Sequence, residues 1–225
     1  YHEIDSAFQL IDIYDDLIFE KSSGGIQLDC DLDIETHENI VYKAALLLNE
    51  QSNKDNSIRI KLHKNIPTGS GLGGGSSNAA STLVTLNKLW DINLNKSELM
   101  VLGTKLGADV PFFINGNNAY VSGIGEKLIN KKMETANYLI IYPNIHCSSA
   151  EMYRKFDLEN TPSKDEQNSF WNIYKSLNKE IYEFVNEFKD DLNICLSGSG
   201  SSMFIRYKSQ EELDKILKII PFNWR

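Results

Sequence analysis

The amino-acid sequence predicts an α+β protein built from two domains. Strand-like and helical patterns follow one another along the 225 residues without regular alternation, which argues against a parallel α/β sheet. A polar stretch at 130–136 separates two halves, and each half has strands, helices and a glycine-rich loop of its own. We therefore place the domain boundary at residue 134, with an N-terminal domain at 1–133 and a C-terminal domain at 134–225.

The first half opens with runs of β-branched and aromatic residues that are typical of strands, at 4–14, 17–20 and 26–30. We interpret these runs as an antiparallel meander, because turn-forming residues separate them. Apolar residues spaced three or four apart then predict a helix over 37–50. In 58–62 apolar and charged residues alternate, which predicts a strand with one buried face.

This strand leads into a glycine-rich loop. Five glycines fall within residues 69–75, where they permit positive φ angles and leave backbone N–H groups uncovered by side chains. Ser76, Ser77 and Asn78 follow as candidate caps of a helix, whose positive N-terminal end would face the loop. Such an arrangement binds phosphate, so we interpret the stretch as a nucleotide triphosphate site. The alternative is a flexible turn that binds nothing.

The loop differs from three common phosphate-binding motifs. It lacks the Gly-Lys-Ser/Thr ending of a Walker loop, and its glycines do not have the Rossmann spacing. No His-Arg-Asp or Asp-Phe-Gly sequence of the protein kinases follows it. The phosphate-binding hypothesis therefore depends on the loop and the helix after it, and not on any of these motifs.

An acidic residue follows the next predicted helix, at 97–106. Pro111 has no N–H and disfavours helical geometry at Val110, so the chain must break close to Asp109. A carboxylate at such a break can project into a cleft and accept a proton. It could instead only cap or turn the chain. Another short strand is predicted between residues 118 and 123.

The second half repeats the mixture of strands and helices. A second glycine loop at 198–200 separates two of its strands. Ser209 and Glu212 have the spacing of a capping box, which predicts that the last helix begins there and ends at Pro221. The other predicted elements are a strand at 138–142, a helix at 149–156, one or two helices within 170–188, and strands at 194–196 and 202–207.

Composition narrows the possible partners. With 31 acidic and 23 basic residues the net charge is −8, which argues against nucleic acid as a main partner. No apolar run reaches the roughly 18 residues of a membrane span, so we expect no membrane association. Cys30, Cys147 and Cys195 are odd in number and far apart, which indicates a reducing compartment and offers no zinc pattern. We expect a cytoplasmic protein, or one in a plastid-type organelle if the source is eukaryotic.

Four segments match the motifs of one enzyme family, in order along the chain. They are 67–77, 106–113, 196–204, and the opening Tyr1-His2-Glu3-Ile4 with Phe8-Gln9 behind it. The first resembles the second motif of the GHMP small-molecule kinases. The others resemble the branch of that family whose substrate is a cytidine diphosphate-linked methylerythritol. The resemblance implies the two-domain GHMP kinase fold, with an N-terminal domain like domain 2 of ribosomal protein S5 and a ferredoxin-like C-terminal domain.

The resemblance also implies an activity, the phosphorylation by ATP of the 2-hydroxyl of 4-diphosphocytidyl-2-C-methyl-D-erythritol in the non-mevalonate route to isoprenoids. Asp109 matches the catalytic aspartate of the family. Mg²⁺ is expected with ATP, and the hydroxyls of Ser76 or Ser77 are possible ligands. The residues implied in ATP binding are Pro67, Thr68, Gly69, Ser70, Gly71, Leu72, Gly73, Gly74, Gly75, Ser76 and Ser77.

In this family a lysine on the first strand usually lies beside the catalytic aspartate and keeps it ionised. No residue of this sequence matches it, because the sequence starts just downstream, at Tyr1. We expect that the start of the protein is missing and that the lysine lies upstream of residue 1.

Four residues match those that surround the cytosine in the family branch, namely Tyr1, His2, Phe8 and Tyr153. Stacking on aromatic rings suits a flat base. The alternative for Phe8 and Tyr153 is packing in the protein core. Two other functions stay open, a GHMP kinase acting on a mevalonate-type or homoserine-type alcohol, and a non-catalytic nucleotide-binding paralogue. We expect a monomer or a weak homodimer.

Overall fold

The structure is a computed structural model that describes residues 2–52, 54–159, 167–188 and 190–224. Tyr1, one of the predicted substrate-binding residues, therefore lies outside the described residues. Among the described residues, no helix is long and apolar enough to cross a bilayer.

The backbone forms two compact units. The first contains Tyr1–Pro67 and Gly73–Met133, and the second contains Thr68–Leu72 and Glu134–Arg225. The polar stretch near residue 134 thus lies where the chain passes from the first unit to the second. Part of the glycine loop, Thr68–Leu72, packs with the second unit although it lies within the first half of the sequence.

The first unit has two three-stranded sheets. Their strands are β1 (Ile4–Phe8), β2 (Asp16–Glu20), β3 (Ile26–Cys30), β4 (Ile58–His63), β5 (Ala119–Gly123) and β6 (Lys127–Asn130). One sheet has the strand order β1-β5-β6 and is antiparallel throughout. The other has the order β2-β4-β3, in which β2 is antiparallel and β3 parallel to the central β4.

The predicted meander is wrong, although the strands themselves were found. β1 pairs with β5, so that Phe8 lies opposite Ala119, and β1 belongs to a different sheet from β2 and β3. β3 cannot form a hairpin with β4 because the helix Ile40–Asn49 lies between them in the chain, and such a crossover connects parallel strands. Local composition predicts strands but does not specify which distant strand supplies the hydrogen bonds.

The helices of the first unit pack on the inner face of β4. Ile58, Ile60 and Leu62 of β4 are buried, whereas the residues between them are partly or fully exposed, which confirms the predicted alternation. Val41 and Leu83, both fully buried, join them in one hydrophobic core from two of the helices. The helices are α1 (Ile40–Asn49), α2 (Gly74–Leu89), α3 (Lys96–Thr104) and α4 (Val110–Asn115), with a 3₁₀ turn at Thr36–Glu38 before α1.

The second unit has a separate core around one antiparallel sheet of order β7-β9-β8. Tyr174, Met203 and Trp224 are among its buried side chains. Its strands are β7 (Asn137–Ile141), β8 (Cys195–Leu196) and β9 (Met203–Tyr207). Its helices are α5 (Ser149–Glu159), α6 (Trp171–Leu177), α7 (Lys179–Phe188) and α8 (Gln210–Ile219), followed by a 3₁₀ turn at Phe222–Trp224.

The cap of α8 agrees with the sequence in its main bond. The Ser209 hydroxyl accepts from the backbone N–H of Glu212 at 3.2 Å, as a capping residue does. The Glu212 carboxylate accepts from the N–H of Lys208 at 2.7 Å, one residue earlier than the capping box predicts. The helix therefore begins where the sequence placed it.

Candidate active site

The helix after the glycine loop begins earlier than predicted. Its N-cap is Gly73, in the left-handed conformation with φ of 69°, and the first helical residue is Gly74. Ser76, Ser77 and Asn78 therefore lie within the helix, and the prediction that they cap it is wrong. A Cβ atom at Gly73 would lie 2.8 Å from the ring of Phe113, so tertiary packing requires glycine at this cap.

The first turn of α2 offers free backbone donors. The N–H of Ser77 donates to the carbonyl of Gly73 at 2.9 Å, which starts the helical ladder. Within the described ranges, the N–H groups of Gly74, Gly75 and Ser76 donate to no protein acceptor. Gly75 is exposed and Ser76 is half-buried, whereas Gly74 is buried. Together with the helix dipole, these N–H groups favour a bound anion.

Within the segment Thr68–Leu72, the carbonyl groups of residues 68–71 accept hydrogen bonds from residues of the second unit. Gly69 and Gly71 have positive φ angles of 65° and 73°. The carbonyl partners are His146 Nδ1 for Thr68 (3.3 Å), the Cys147 N–H (3.0 Å) and Ser201 N–H (3.3 Å) for Gly69, the Ser202 N–H (2.8 Å) for Ser70 and the Ser197 hydroxyl (2.9 Å) for Gly71.

The N–H groups of residues 69–72 behave in the opposite way to the carbonyls. Counting only the described residues, none of these N–H groups donates a hydrogen bond. Alternation of left-handed residues along a short segment turns successive N–H groups toward one side, which creates a concavity for an anion. A Cβ at Gly71 would overlap the carbonyl of Ser197 and lie 2.7 Å from that of Gly200, so the segment packs too closely for a side chain there.

Asp109 lies at the N-cap position of α4, with Pro111 in the first turn of that helix. Its side chain makes no capping hydrogen bond to α4, which argues against the interpretation of a simple cap. The residue is half-buried, and burial raises the pKa of the Asp109 carboxyl above its ordinary value. The Asp109 carboxylate therefore does not cap α4, and its affinity for a proton is higher than that of an ordinary aspartate.

The turn that carries Asp109 lies beside the start of α2. A Cβ at Gly107 would lie 3.9 Å from the hydroxyl oxygen of Ser76, and a Cβ at Gly125 would lie 2.9 Å from the carbonyl of Ala108. The first unit thus brings the turn that carries the predicted base close to the first turn of α2. Such an arrangement can hold a phosphate next to a group that accepts a proton.

The predicted substrate-binding residues are placed less decisively. Phe8 packs edge-to-face against Phe112 with ring centroids 5.2 Å apart, in a small apolar cluster of the first unit. Tyr153 packs edge-to-face against Phe170 at 4.9 Å in the second unit. His2 lies half-buried in the first unit. Both aromatic rings therefore have packing partners within their own units, which agrees with the alternative of core packing.

The sequence did not assign a role to a group of buried polar residues next to the loop. Asp15, whose side chain is inaccessible to solvent, forms an ion pair with Lys64 and accepts a hydrogen bond from Asn78 Nδ2 at 2.8 Å. Asn78 is buried within α2. In the sequence, Asp15 lies between the strand-like runs 4–14 and 17–20. A charged residue between two predicted strands gives no indication that its side chain is buried.

A cavity of about 260 Å³ opens in the first unit beside this group. Its walls come from the segment of β2 and from one face of α2, where Ser77, Asn78, Ser81 and Thr85 follow one another at helical spacing. Tyr14, Asp15, Leu17 and Phe19 form the rest of the lining. Searching the described residues finds no group of three or more His, Cys, Asp or Glu side chains able to hold a metal ion.

Both the sequence and the fold resemble known kinases. The model of the family described as "GHMP kinases N terminal domain" matches residues 39–117. The chain is 37% identical to the 4-diphosphocytidyl-2-C-methyl-D-erythritol kinase of Pseudoalteromonas translucida, and the match covers 100% of this chain and 83% of that enzyme. The chain belongs to the GHMP kinase family. An enzyme of the same name from Acinetobacter baumannii is 36% identical, with 98% of this chain and 84% of the enzyme covered.

Solved structures agree with this assignment. A crystal structure of 4-(cytidine 5'-diphospho)-2C-methyl-D-erythritol kinase is 28% identical to this GHMP kinase with a TM-score of 0.83, covering 100% of this chain and 88% of that one. The homoserine kinase of Cytophaga hutchinsonii shares the fold, with a TM-score of 0.67 at 18% identity over 93% of this chain and 81% of its own. The predicted GHMP kinase fold and the predicted class of small-molecule kinase are confirmed.

Proposed function

We propose that this GHMP kinase transfers the γ-phosphoryl group of ATP to the 2-hydroxyl of 4-diphosphocytidyl-2-C-methyl-D-erythritol. The observation that carries the proposal is the identity of 36–37%, over almost the whole chain, to enzymes named for that substrate. The structural likeness to an enzyme of that name supports it. The homoserine and mevalonate kinases share the fold at 18% identity or less, which favours the cytidylyl alcohol over their substrates.

In this proposal the loop 67–77 binds the phosphates of ATP. Phosphoryl transfer needs the charge of the phosphates to be stabilised and their position fixed. Gly74, Gly75 and Ser76 supply N–H groups at the positive end of α2 that have no acceptor among the described residues. The carbonyls of Thr68–Gly71 are tied to residues of the second unit, which keeps acceptor oxygens out of contact with the anion.

Asp109 acts as the general base that accepts the proton of the substrate hydroxyl. Its half-buried carboxylate, with a pKa raised by burial, is suited to accept a proton, and the capping alternative lacks its hydrogen bond. No lysine partner is assigned.

We also propose that Mg²⁺ accompanies ATP, with the hydroxyl of Ser76 or Ser77 as a protein ligand. Mg²⁺ prefers oxygen ligands and keeps several waters, so it needs few protein ligands, which fits a loop rich in hydroxyls and poor in carboxylates. When bound, the ion neutralises charge on the phosphates. The closeness of the Ser76 hydroxyl to the turn that carries Asp109 supports this choice of ligand.

We propose that the cytosine is bound by His2, Phe8 and Tyr153, together with Tyr1, which lies outside the described residues. The aromatic character of these residues supports this, since base stacking on aromatic rings is favourable. The domains are proposed to be 1–133 and 134–225. The three free cysteines support a reducing, cytoplasmic location, and we propose a monomer or weak homodimer there.

A panel of alcohols tests the substrate assignment. The full-length enzyme is incubated with Mg·ATP and, in turn, the cytidylyl alcohol, methylerythritol phosphate, mevalonate and homoserine, and ADP release is measured. We expect turnover of the cytidylyl alcohol alone. Preference for mevalonate or homoserine would assign the enzyme to another branch of the family. Absence of turnover with every alcohol would favour a non-catalytic nucleotide-binding role.

A further inference from the structure

Asp15 lies just before β2 and has a fully buried carboxylate with four partners. One oxygen accepts from the backbone N–H groups of Asn65 at 2.7 Å and Ile66 at 2.8 Å. The other accepts from Asn78 Nδ2 at 2.8 Å and forms an ion pair with the ammonium of Lys64. Among the described residues, the partners of this carboxylate thus all lie on either side of the glycine loop.

These partners form the two stems of the loop. Lys64, Asn65 and Ile66 follow the end of β4 and lead into the loop, whereas Asn78 begins the second turn of the helix that follows it. Lys64 is itself almost inaccessible, with 8% of its side chain exposed. A Cβ added to Gly74 would lie 3.2 Å from the Lys64 nitrogen, so the ammonium sits at the first residue of α2.

The charges explain why the carboxylate is required there. An ammonium at the positive end of a helix is unfavourable unless an anion compensates it, and Asp15 is that anion. Two backbone donors that approach the carboxylate would also lose their acceptor if it were removed. The hydrogen bonds are charge-assisted, which makes them stronger than neutral ones and fixes their geometry.

We propose that Asp15 is a positioning residue for the nucleotide loop, because its carboxylate holds both stems and the Lys64 ammonium in place. The inference rests on the proposed binding of ATP by residues 67–77. If it is correct, removing the charge should weaken the binding of ATP and leave the binding of the cytidylyl alcohol unchanged.

The test uses Asp15→Asn in the full-length enzyme. Titration calorimetry with Mg·AMPPNP gives the nucleotide Kd, and steady-state kinetics give KM for each substrate. We expect the nucleotide Kd and the KM for ATP to rise roughly tenfold, the scale of one lost charged hydrogen bond. The KM for the cytidylyl alcohol should stay within about twofold of the parent value. A mere loss of folded protein would lower the apparent kcat and leave the KM of both substrates unchanged. The selective change in the ATP constants therefore distinguishes positioning from instability.

Glu20→Gln is the matched control. Glu20 pairs with Lys61 Nζ at 2.8 Å across the same two strands, β2 and β4, but on the exposed side and away from the loop. Losing this carboxylate–lysine pair should leave both ATP constants unchanged. A rise in the control as large as in Asp15→Asn would overturn the proposal, since it would then reflect the strand pair and not the loop.

Asn78→Ala provides a second variant in case Asp15→Asn does not fold. It releases the α2 stem while Asp15 keeps Lys64, so the nucleotide Kd should rise by less than in Asp15→Asn. Unchanged nucleotide affinity in every folded variant of this pair would refute the positioning role. Gly75→Val tests the loop itself, because among the described residues an added Cβ would meet only Ile40, at 3.8 Å, so the branched side chain is added beside a proposed phosphate donor without a clash at Cβ. If Gly75→Val binds nucleotide normally, the proposed loop site fails, whatever Asp15 does.

Discussion

The half-buried carboxylate of Asp109, the proposed general base, should reduce the stability of the fold. Its carboxyl is half-buried at the start of α4, and burial raises its pKa because the charged form loses hydration. A group whose folded-state pKa is raised contributes stability that is present at low pH and lost as pH rises through the folded pKa. At neutral pH the ionised carboxylate therefore destabilises the fold. A neutral residue of the same shape, such as asparagine, should not have this destabilising effect.

We predict that Asp109→Asn raises the thermal midpoint at pH 8, and that this gain disappears below the ordinary pKa of an aspartate, at about pH 4. Turnover should fall by at least about a hundredfold, as expected for a general base, with the nucleotide Kd nearly unchanged. Calorimetric scans at both pH values and a turnover assay check this. An unaltered turnover number would remove Asp109 from the mechanism, and a lower midpoint at pH 8 would contradict the effect of burial.

Residue identity alone could not locate the start of α2. Ser76, Ser77 and Asn78 are good caps in isolation, yet the helix begins at Gly74. The N-cap is Gly73 in the left-handed conformation, where an added Cβ would lie 2.8 Å from the ring of Phe113, forty positions further along the chain. Asp15 was missed for the same reason, since only the fold brings Lys64, Asn65 and Ile66 to it.

At the scale of elements, the sequence predicted strands and helices well where a pattern is local. The alternation in β4 appears as buried Ile58, Ile60 and Leu62, and the Ser209 cap forms the predicted bond. Pairing was not predictable, because β1 finds its partner β5 more than a hundred residues later. Hydrophobic periodicity reports which face of an element is buried, and many partners could cover that face.

The junction of β2, β4 and α2 should be sensitive to acid. Burial by itself raises the pKa of Asp15, but the hydrogen bonds from Lys64, Ile66, Asn78 and Asn65 outweigh it and hold the pKa below its ordinary value. A group with a depressed folded pKa contributes stability above its unfolded pKa, and that stability is lost as pH falls through the folded pKa. This contribution should therefore disappear as pH falls below about 4.

We predict that the free energy of unfolding of the parent falls more steeply below about pH 4 than that of Asp15→Asn. Urea unfolding at a series of pH values measures both slopes. Glu134→Gln is the control, because Glu134 also has a pKa lowered by its partner Arg206 but lies fully exposed on the surface. Exposed ion pairs contribute little, so its slope should match the parent. Equal slopes for Asp15→Asn and the parent would contradict the assigned role of the buried carboxylate.

At the scale of the whole molecule, the chain passes from the first compact unit to the second near residue 134. The glycine loop is also shared between the two units. Residues 68–72 pack with the second unit, through carbonyl bonds to Cys147, Ser201 and Ser202 among others. These partners lie more than seventy positions downstream, so no local pattern in the loop reveals them. The sequence motif predicted that the loop binds an anion, and the fold explains how its carbonyl oxygens are kept occupied.

The proposed cytosine site includes a residue of the second unit, Tyr153. If its ring stacks on the cytosine, the cytidine end supplies binding energy remote from the reacting hydroxyl, and that energy can position the hydroxyl. We predict that Tyr153→Ala raises KM for the cytidylyl alcohol roughly tenfold, for about 1–3 kcal/mol of lost stacking, with KM for ATP unchanged. Tyr153→Phe keeps the ring and should retain the parent KM.

Tyr138→Ala is the matched control, since Tyr138 makes a similar edge-to-face contact, with Phe204 at 5.7 Å, within the same unit. An equal rise in KM for both alanine variants would assign Tyr153 to core packing against Phe170 and leave the cytosine without this ring.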